Sequence, residues 1–213
     1  MASSHQAIDA RFYLIMAIAS SCLVLLGFSR SYYLGAYFGA PPLSLLLHIH
    51  GIVFTAWMFF FITQTALIAS DRPYLHRRLG YWGGVLASAM VVLGLMVAFL
   101  VDILTFAIFV GAGFLWRHNR ETHQRLMLLA VVAGLLSAAV PRLPLIGGHR
   151  PRMALTGFAF LFAGPIYDLV SRRRLHQAYV WGCLFALATG PSVRIKLAAT
   201  PGWHRAAKWL VSW

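Results

Sequence analysis

The sequence predicts an all-α, polytopic transmembrane bundle of seven helices with a cytoplasmic N-terminus, and three observations predict it. Of 213 residues, 60% are hydrophobic and only 11% charged, where ordinary soluble domains carry about 25% charge. Mean hydropathy is +0.74. The few charges separate uncharged runs long enough to cross a hydrocarbon core, which takes roughly 17–25 apolar residues. A water-soluble domain is excluded on these grounds. Disorder is excluded as well, because disordered chains are poor in aromatic residues and this one is 14% aromatic.

The helices follow in order. The 18 uncharged residues between Arg11 and Arg30 make the first, 12–29. Its basic flank is weak and no small-residue cleavage pattern follows, so a retained helix is expected rather than a cleaved signal. Forty uncharged residues then run to Asp71, split by Pro41-Pro42. This gives an aromatic and glycine-rich outer loop at 31–40 and a second helix at 43–69. From Leu79 to Trp116 the chain is apolar except for Asp102. One helix of that length would extend about 57 Å, so the segment folds back near 98–102 into helices 79–98 and 102–116. The fifth helix is 126–140, ended by Pro141. The sixth is 153–170, and the seventh, 176–190, is ended by Pro191. No repeat or linker interrupts the chain, so residues 1–213 form a single membrane domain.

Orientation follows from the basic loops. Arg72, Arg77, Arg78, Arg117, Arg120, Arg125 and Arg172–Arg174 fall on one side with Arg11, ten of the eighteen cations. That side is the expected cytoplasmic side, in a bacterial inner membrane. In the tail, Trp203, Ala206, Ala207, Leu210 and Trp213 recur at helical spacing opposite Arg205 and Lys208, as in an amphipathic helix lying in the interface. Cys22 and Cys183 sit in apolar runs and read as buried small hydrophobes, not as a disulfide.

The charge balance is 18 Lys and Arg against 5 Asp and Glu. The cations sit in short loops between spans rather than on one face of a soluble module, which excludes nucleic acid as a partner. They serve orientation and attraction to the anionic headgroups of the lipid bilayer. Sixteen are Arg, a side chain suited to bidentate contact with carboxylate or phosphate. That suits lipid phosphates or haem propionates. A genome rich in G and C explains the bias equally well.

Nine histidines stand beside five acids. His76, His123 and His176 each open a helix on the basic side, and Asp168 ends a helix at the same level, as His118 does. Imidazoles and a carboxylate from separate helices at one depth suit a transition metal, zinc, iron or copper. Two facing imidazoles, His76 with His123 or His123 with His176, suit a b-type haem. Met127, four residues after His123, adds a soft thioether on the same face. Interfacial histidines that only pack and hydrogen-bond, and a methionine that only fills space, are the competing reading.

On the outer side, His50, Trp57 and Gln64 recur every seven residues. A polar stripe in a membrane helix faces protein, cavity or cofactor, so His50 is expected inward and His48 peripheral. Asp102 and Arg142 reach the same level as candidate partners of His50. Catalytic templates are missing: no His-Glu-x-x-His helix, phosphate-binding glycine loop or nucleophile elbow occurs. With five acids, paired-carboxylate chemistry is almost excluded.

Leu75–Gly80 (Leu-His-Arg-Arg-Leu-Gly), His123–Met127 (His-Gln-Arg-Leu-Met) and Pro141-Arg142 fall in an order that resembles an uncharacterised group of bacterial multi-pass membrane proteins. That group has His-Arg-x-x-Gly and His-x-x-x-Met signatures. Its histidine early in the preceding helix is matched by His48 or His50, and the resemblance covers the second to the fifth helix. Asp168, His176 and the Trp203 region are similar to a more restricted subset. The resemblance implies architecture and site positions, and no established reaction. The His-Arg-x-x-Gly element also resembles, more distantly, cytochrome b561-like membrane haem proteins. These pair histidines across the bilayer, whereas His50 has no evident helix-borne partner here.

The expectation is therefore a site of His76, His123, His176 and Asp168 that holds a transition metal or b-type haem in a redox or quinone-linked role. His50 and Arg142, with Met127, are further cofactor-binding candidates. A non-catalytic membrane subunit packed in a larger complex, or a small-solute carrier, is the alternative. A membrane enzyme acting on a lipid, its metal held by the histidines, is a third. Whether the chain is an enzyme is left open by its motifs.

Overall fold

The computed structural model describes residues 2–96, 100–190, 196 and 199–205. Among them there is helix and turn but no strand. The helices are α1 (Ala2–Gly27), α2 (Leu45–Ala69), α3 (Pro73–Met96), α4 (Leu100–Leu115), α5 (Arg120–Arg142), α6 (Arg150–Arg172) and α7 (Gln177–Ala188). Five of them, α1, α2, α3, α5 and α6, are long and apolar enough to cross a membrane. The apolar parts of α4 (Val101–Leu115) and α7 are shorter, and α7 extends about 18 Å at 1.5 Å per residue.

Local chemistry sets the helix starts. The Ser44 side chain accepts from the Leu47 N–H to open α2, and Asn119 does the same for Thr122 at α5. His176 caps α7, its Nδ1 accepting from the Ala178 N–H at 3.1 Å. Pro73 is the first residue of α3, and α6 has a proline in its first two positions, where a missing N–H costs nothing. Several expected boundaries move. The fifth helix starts at Arg120, not 126, and so takes Arg125 out of the loop where the charge pattern had put it. The third starts at Pro73, not 79, which places His76–Arg78 within the helix. The first begins at Ala2. Both shifts at α3 and α5 have one cause: a helix keeps its hydrogen bonds past the apolar run, and arginine tolerates that extension because its stem is apolar and its head reaches the boundary.

Antiparallel packing is visible in the glycines. A Cβ on Gly94 would meet Ile103, and one on Gly84 would contact Phe114, so α3 and α4 run back along each other. The fold-back expected at 98–102 falls partly outside the described residues, between Met96 and Leu100.

The hub is α5. In its apolar stretch 67% of the residues are buried, against 17–44% in those of the other four long helices. Its neighbours come very close: a Cβ on Gly134 would lie 2.9 Å from the Phe106 backbone of α4, and one on Gly27 of α1 would lie 2.5 Å from the Ala139 carbonyl. Small residues at such contacts let helix backbones approach where lipid supplies no hydrophobic drive. Over Ala130–Leu135 the helix loosens into a π-turn, a rare form concentrated at functional sites. Outward faces carry Tyr81, Trp82, Val92, Leu155, Phe158 and Trp181, all exposed, as lipid-facing residues are. Cys183 is buried as expected, but Cys22 lies on the exposed side of α1. Of the expected tail helix only Trp203 and Arg205 are described, in a helical turn at 201–205. Residues 206–213 lie outside the described residues.

Candidate functional site

The start of α1, the end of α2, the start of α3, the end of α4, the start of α5, the end of α6 and the start of α7 all meet at one end. The contacts below show it. It is the basic end, and its polar residues sort into two groups.

The first group is a pair of imidazoles. The rings of His76 and His123 lie 6.2 Å apart, centre to centre, with their planes at 80°. His76 Nδ1 faces the Gln64 carbonyl at 3.4 Å, and His123 Nδ1 faces the Gly113 carbonyl at 2.8 Å. A carbonyl oxygen only accepts, so in both rings Nδ1 carries the proton, and in the neutral ring Nε2 keeps its lone pair. Metal-binding histidines are oriented this way, by a hydrogen bond from the other ring nitrogen. Two imidazoles on one metal, with bonds of about 2.0–2.1 Å in line and both Nε2 atoms turned inward, would have ring centres roughly 6 Å apart. Met127 packs against Gly113. Its sulfur would be 2.9 Å from a Cβ on Gly113, the residue whose carbonyl orients His123.

The second group is ionic. Arg125 is 1% exposed and grips Asp168, also 1% exposed, with two parallel hydrogen bonds: Nε to Oδ2 at 2.8 Å and Nη2 to Oδ1 at 2.7 Å. The remaining nitrogen, Nη1, donates to the Glu121 carbonyl at 2.6 Å. The guanidinium also lies 5.7 Å from the centre of the Tyr179 ring, and Tyr179 shares a 3.2 Å hydrogen bond with Tyr13. Arg172 spans Asp9 and Glu121, and Tyr167 donates to Asp9 at 2.8 Å. Three of the chain's five acids thus tie α1, α5 and α6 together. A planar fork matched to a carboxylate is what makes so buried a pair tolerable.

These placements divide the expected four ligands between two groups. His76 and His123 come together. Asp168 does not join them, because both of its oxygens are taken by Arg125. His176 stands with the ionic group: its Nδ1 caps α7, and burial, then the Arg125 guanidinium, hold its imidazole below the usual range. Among the described residues no three His, Cys, Asp or Glu gather as a metal-ligand group. His118 is exposed in the turn before α5.

At the opposite end, His50 is half-buried and stacks on Phe54 at 4.0 Å, while His48 is exposed. Arg142 is exposed, donates to the Ala138 carbonyl one turn back and lies 5.0 Å from the Phe28 ring centre. Asp102 accepts from Ser137. Between the ends, the α2 stripe is buried, and His50 Nδ1, Trp57 Nε1 and both Gln64 amide atoms have no protein hydrogen-bond partner.

The residues that sequence reasoning passed over are Arg125, Glu121, Arg172 and Asp9. One signal was present: Glu121 and Arg125 are four apart behind an Asn119 cap, the pattern of a helix start with an internal ion pair. Comparison of the chain with known proteins finds no matching family, no matching curated protein and no matching solved structure.

Proposed function

We propose that the chain is a seven-span protein of a bacterial inner membrane, N-terminus inside, whose paired imidazoles His76 and His123 bind a transition metal or the iron of a b-type haem in a redox or quinone-linked role. One observation carries this reading: both rings, 6.2 Å apart, have their Nδ1–H committed to a backbone carbonyl, so that Nε2 is the ligating nitrogen of each neutral ring. Two nitrogens and a nearby thioether suit iron or copper better than a hard cation. The bound centre would supply electron transfer. The chain's own contribution is to orient the two ligands and keep them in the neutral, ligating form. The seven-span count rests on α4 and α7 crossing beside the five long helices, and the orientation on ten basic residues at the His76–His123 end.

Metal analysis and a visible spectrum of the full chain purified in detergent test it. The expected result is stoichiometric metal or a Soret band that His76→Ala and His123→Ala each remove, while Asp168→Asn keeps it. A colourless, metal-free protein that the two alanine variants only destabilise overturns it. The pair is then a structural tie between helix ends, and the chain a non-catalytic subunit or small-solute carrier.

A further inference from the structure

At the basic end, α1, α5, α6 and the turn after α6 line a half-open surface pocket of about 410 Å³ whose residues do not include the imidazole pair. That volume lies in the range of small-ligand sites, about 300–1,000 Å³. Asp9, Arg120, Glu121, Arg172 and Arg174 line it, together with the neutral side chains Gln6, Gln124 and Ser171. The two acids are already engaged, since Arg172 bridges both, Tyr167 donates to Asp9, and Arg125 lies 3.6 Å from Glu121. Arg120 and Arg174 are exposed and make no ion pair among the described residues. Three arginines against two acids leave the lining with one net positive charge. The start of α5 adds to it. Asn119 Oδ1 takes the Thr122 N–H, which leaves the N–H groups of Arg120 and Glu121 in the unpaired first turn of a helix, at the positive end of its dipole.

We infer that this pocket is a binding site for a phosphate group, with Arg120 and Arg174 as the clamp. A guanidinium fork fits phosphate oxygens in pairs, and a helix start provides the matching backbone donors. Gln6, Gln124 and Ser171 supply neutral donors around the rim. A singly charged phosphate diester matches the net charge of the lining better than a doubly charged monoester. The location suits a phospholipid headgroup, because basic pockets between spanning helices on the cytoplasmic side take such groups. A free phosphate offers the same oxygens, and the two sources separate by experiment. The inference does not depend on metal at His76 and His123.

The full chain in detergent is titrated in one arm with phosphatidylglycerol in mixed micelles, with phosphatidylcholine as reference. In the other arm it is titrated with inorganic phosphate. Thermal unfolding and the lipid retained in native mass spectrometry are read. Wild type is expected to be stabilised, and Arg120→Ala with Arg174→Ala to weaken that binding roughly tenfold or more. A double change of Arg77 and Arg78, exposed arginines of the same end outside the pocket, should leave it intact. Arg120→Gln alone keeps the test available if the double variant misfolds. A response to phosphatidylglycerol alone identifies a headgroup site, and a response to inorganic phosphate a soluble ligand. No response in either arm, or one that survives loss of Arg120 and Arg174, overturns the inference.

Discussion

Arg125 and Arg142 stand on the same helix, and the two ends they mark are held by different means. At the Arg125 end, charge closes on charge. The guanidinium is sealed against Asp168, Arg172 bridges two acids, and α1, α5 and α6 are joined side chain to side chain. At the Arg142 end the arginine bonds to a carbonyl of its own helix, and a close backbone contact at Gly27 and Ala139 brings α1 and α5 together. The same residue type is thus a cross-brace in one place and a boundary marker in the other. The difference is the partner: an acid on a facing helix turns a boundary arginine into a buried one.

The largest expected effect breaks that comparison directly. Arg125→Ala or Asp168→Ala should each cost about 3–5 kcal/mol, because each strands a buried charge. Arg142→Ala should cost about 0.5 kcal/mol or less, as at other exposed positions. Denaturation of the three variants in one detergent measures the contrast, and equal losses would erase it. Arg125→Met with Asp168→Leu sharpens it, since an apolar replacement of similar volume should recover most of the stability. Next in size, His123→Ala should lose about 1 kcal/mol through its hydrogen bond to Gly113, beyond any loss of bound metal. In the middle of the bundle, Gln64→Leu should raise stability by about 1 kcal/mol, because it removes an amide buried without a partner. A loss instead would mean that the amide is satisfied in the membrane.

The smallest effect is one of pH. His176 has a lowered pKa in the folded protein, so the unfolded chain protonates first as pH falls below about 6.5. Stability from this group is full above that pH and declines as pH drops toward the folded value. Protonation also removes the Nδ1 acceptor that caps α7. His176→Asn, a cap that does not titrate, should flatten the stability profile in that window.

Helices were legible because apolar runs and prolines report directly on what a bilayer requires. Their ends were less so: charge marks where a chain may leave hydrocarbon, not where its hydrogen bonds stop. Hence Arg125 was read as loop and Asp168 as an available ligand, when each is the reason the other is buried. Pairing between α5 and α6 is a tertiary fact with no local signal beyond Glu121 four residues before Arg125. The stripe of His50, Trp57 and Gln64 was legible because helical periodicity alone puts those residues on one face. The adjacency of His76 and His123 was legible only as shared depth. Gly113 and Gln64, whose carbonyls orient the rings, carry no sequence signature, since any residue offers a carbonyl.

The Arg125–Asp168 brace also bears on how the chain is made. Its two halves are 43 residues apart, so in synthesis Arg125 precedes Asp168 and has Glu121, 3.6 Å away on its own helix, as its first counter-charge. A lone arginine at the centre of a spanning helix costs roughly 2.5–3.5 kcal/mol on insertion scales, and near the start of α5 the cost is smaller because the side chain reaches the headgroups. The most buried helix of the finished protein therefore gains its sealed ion pair only once its successor, α6, has been made. A chain cut short after α5 would carry Arg125 with Glu121 beside it but without the buried carboxylate of Asp168.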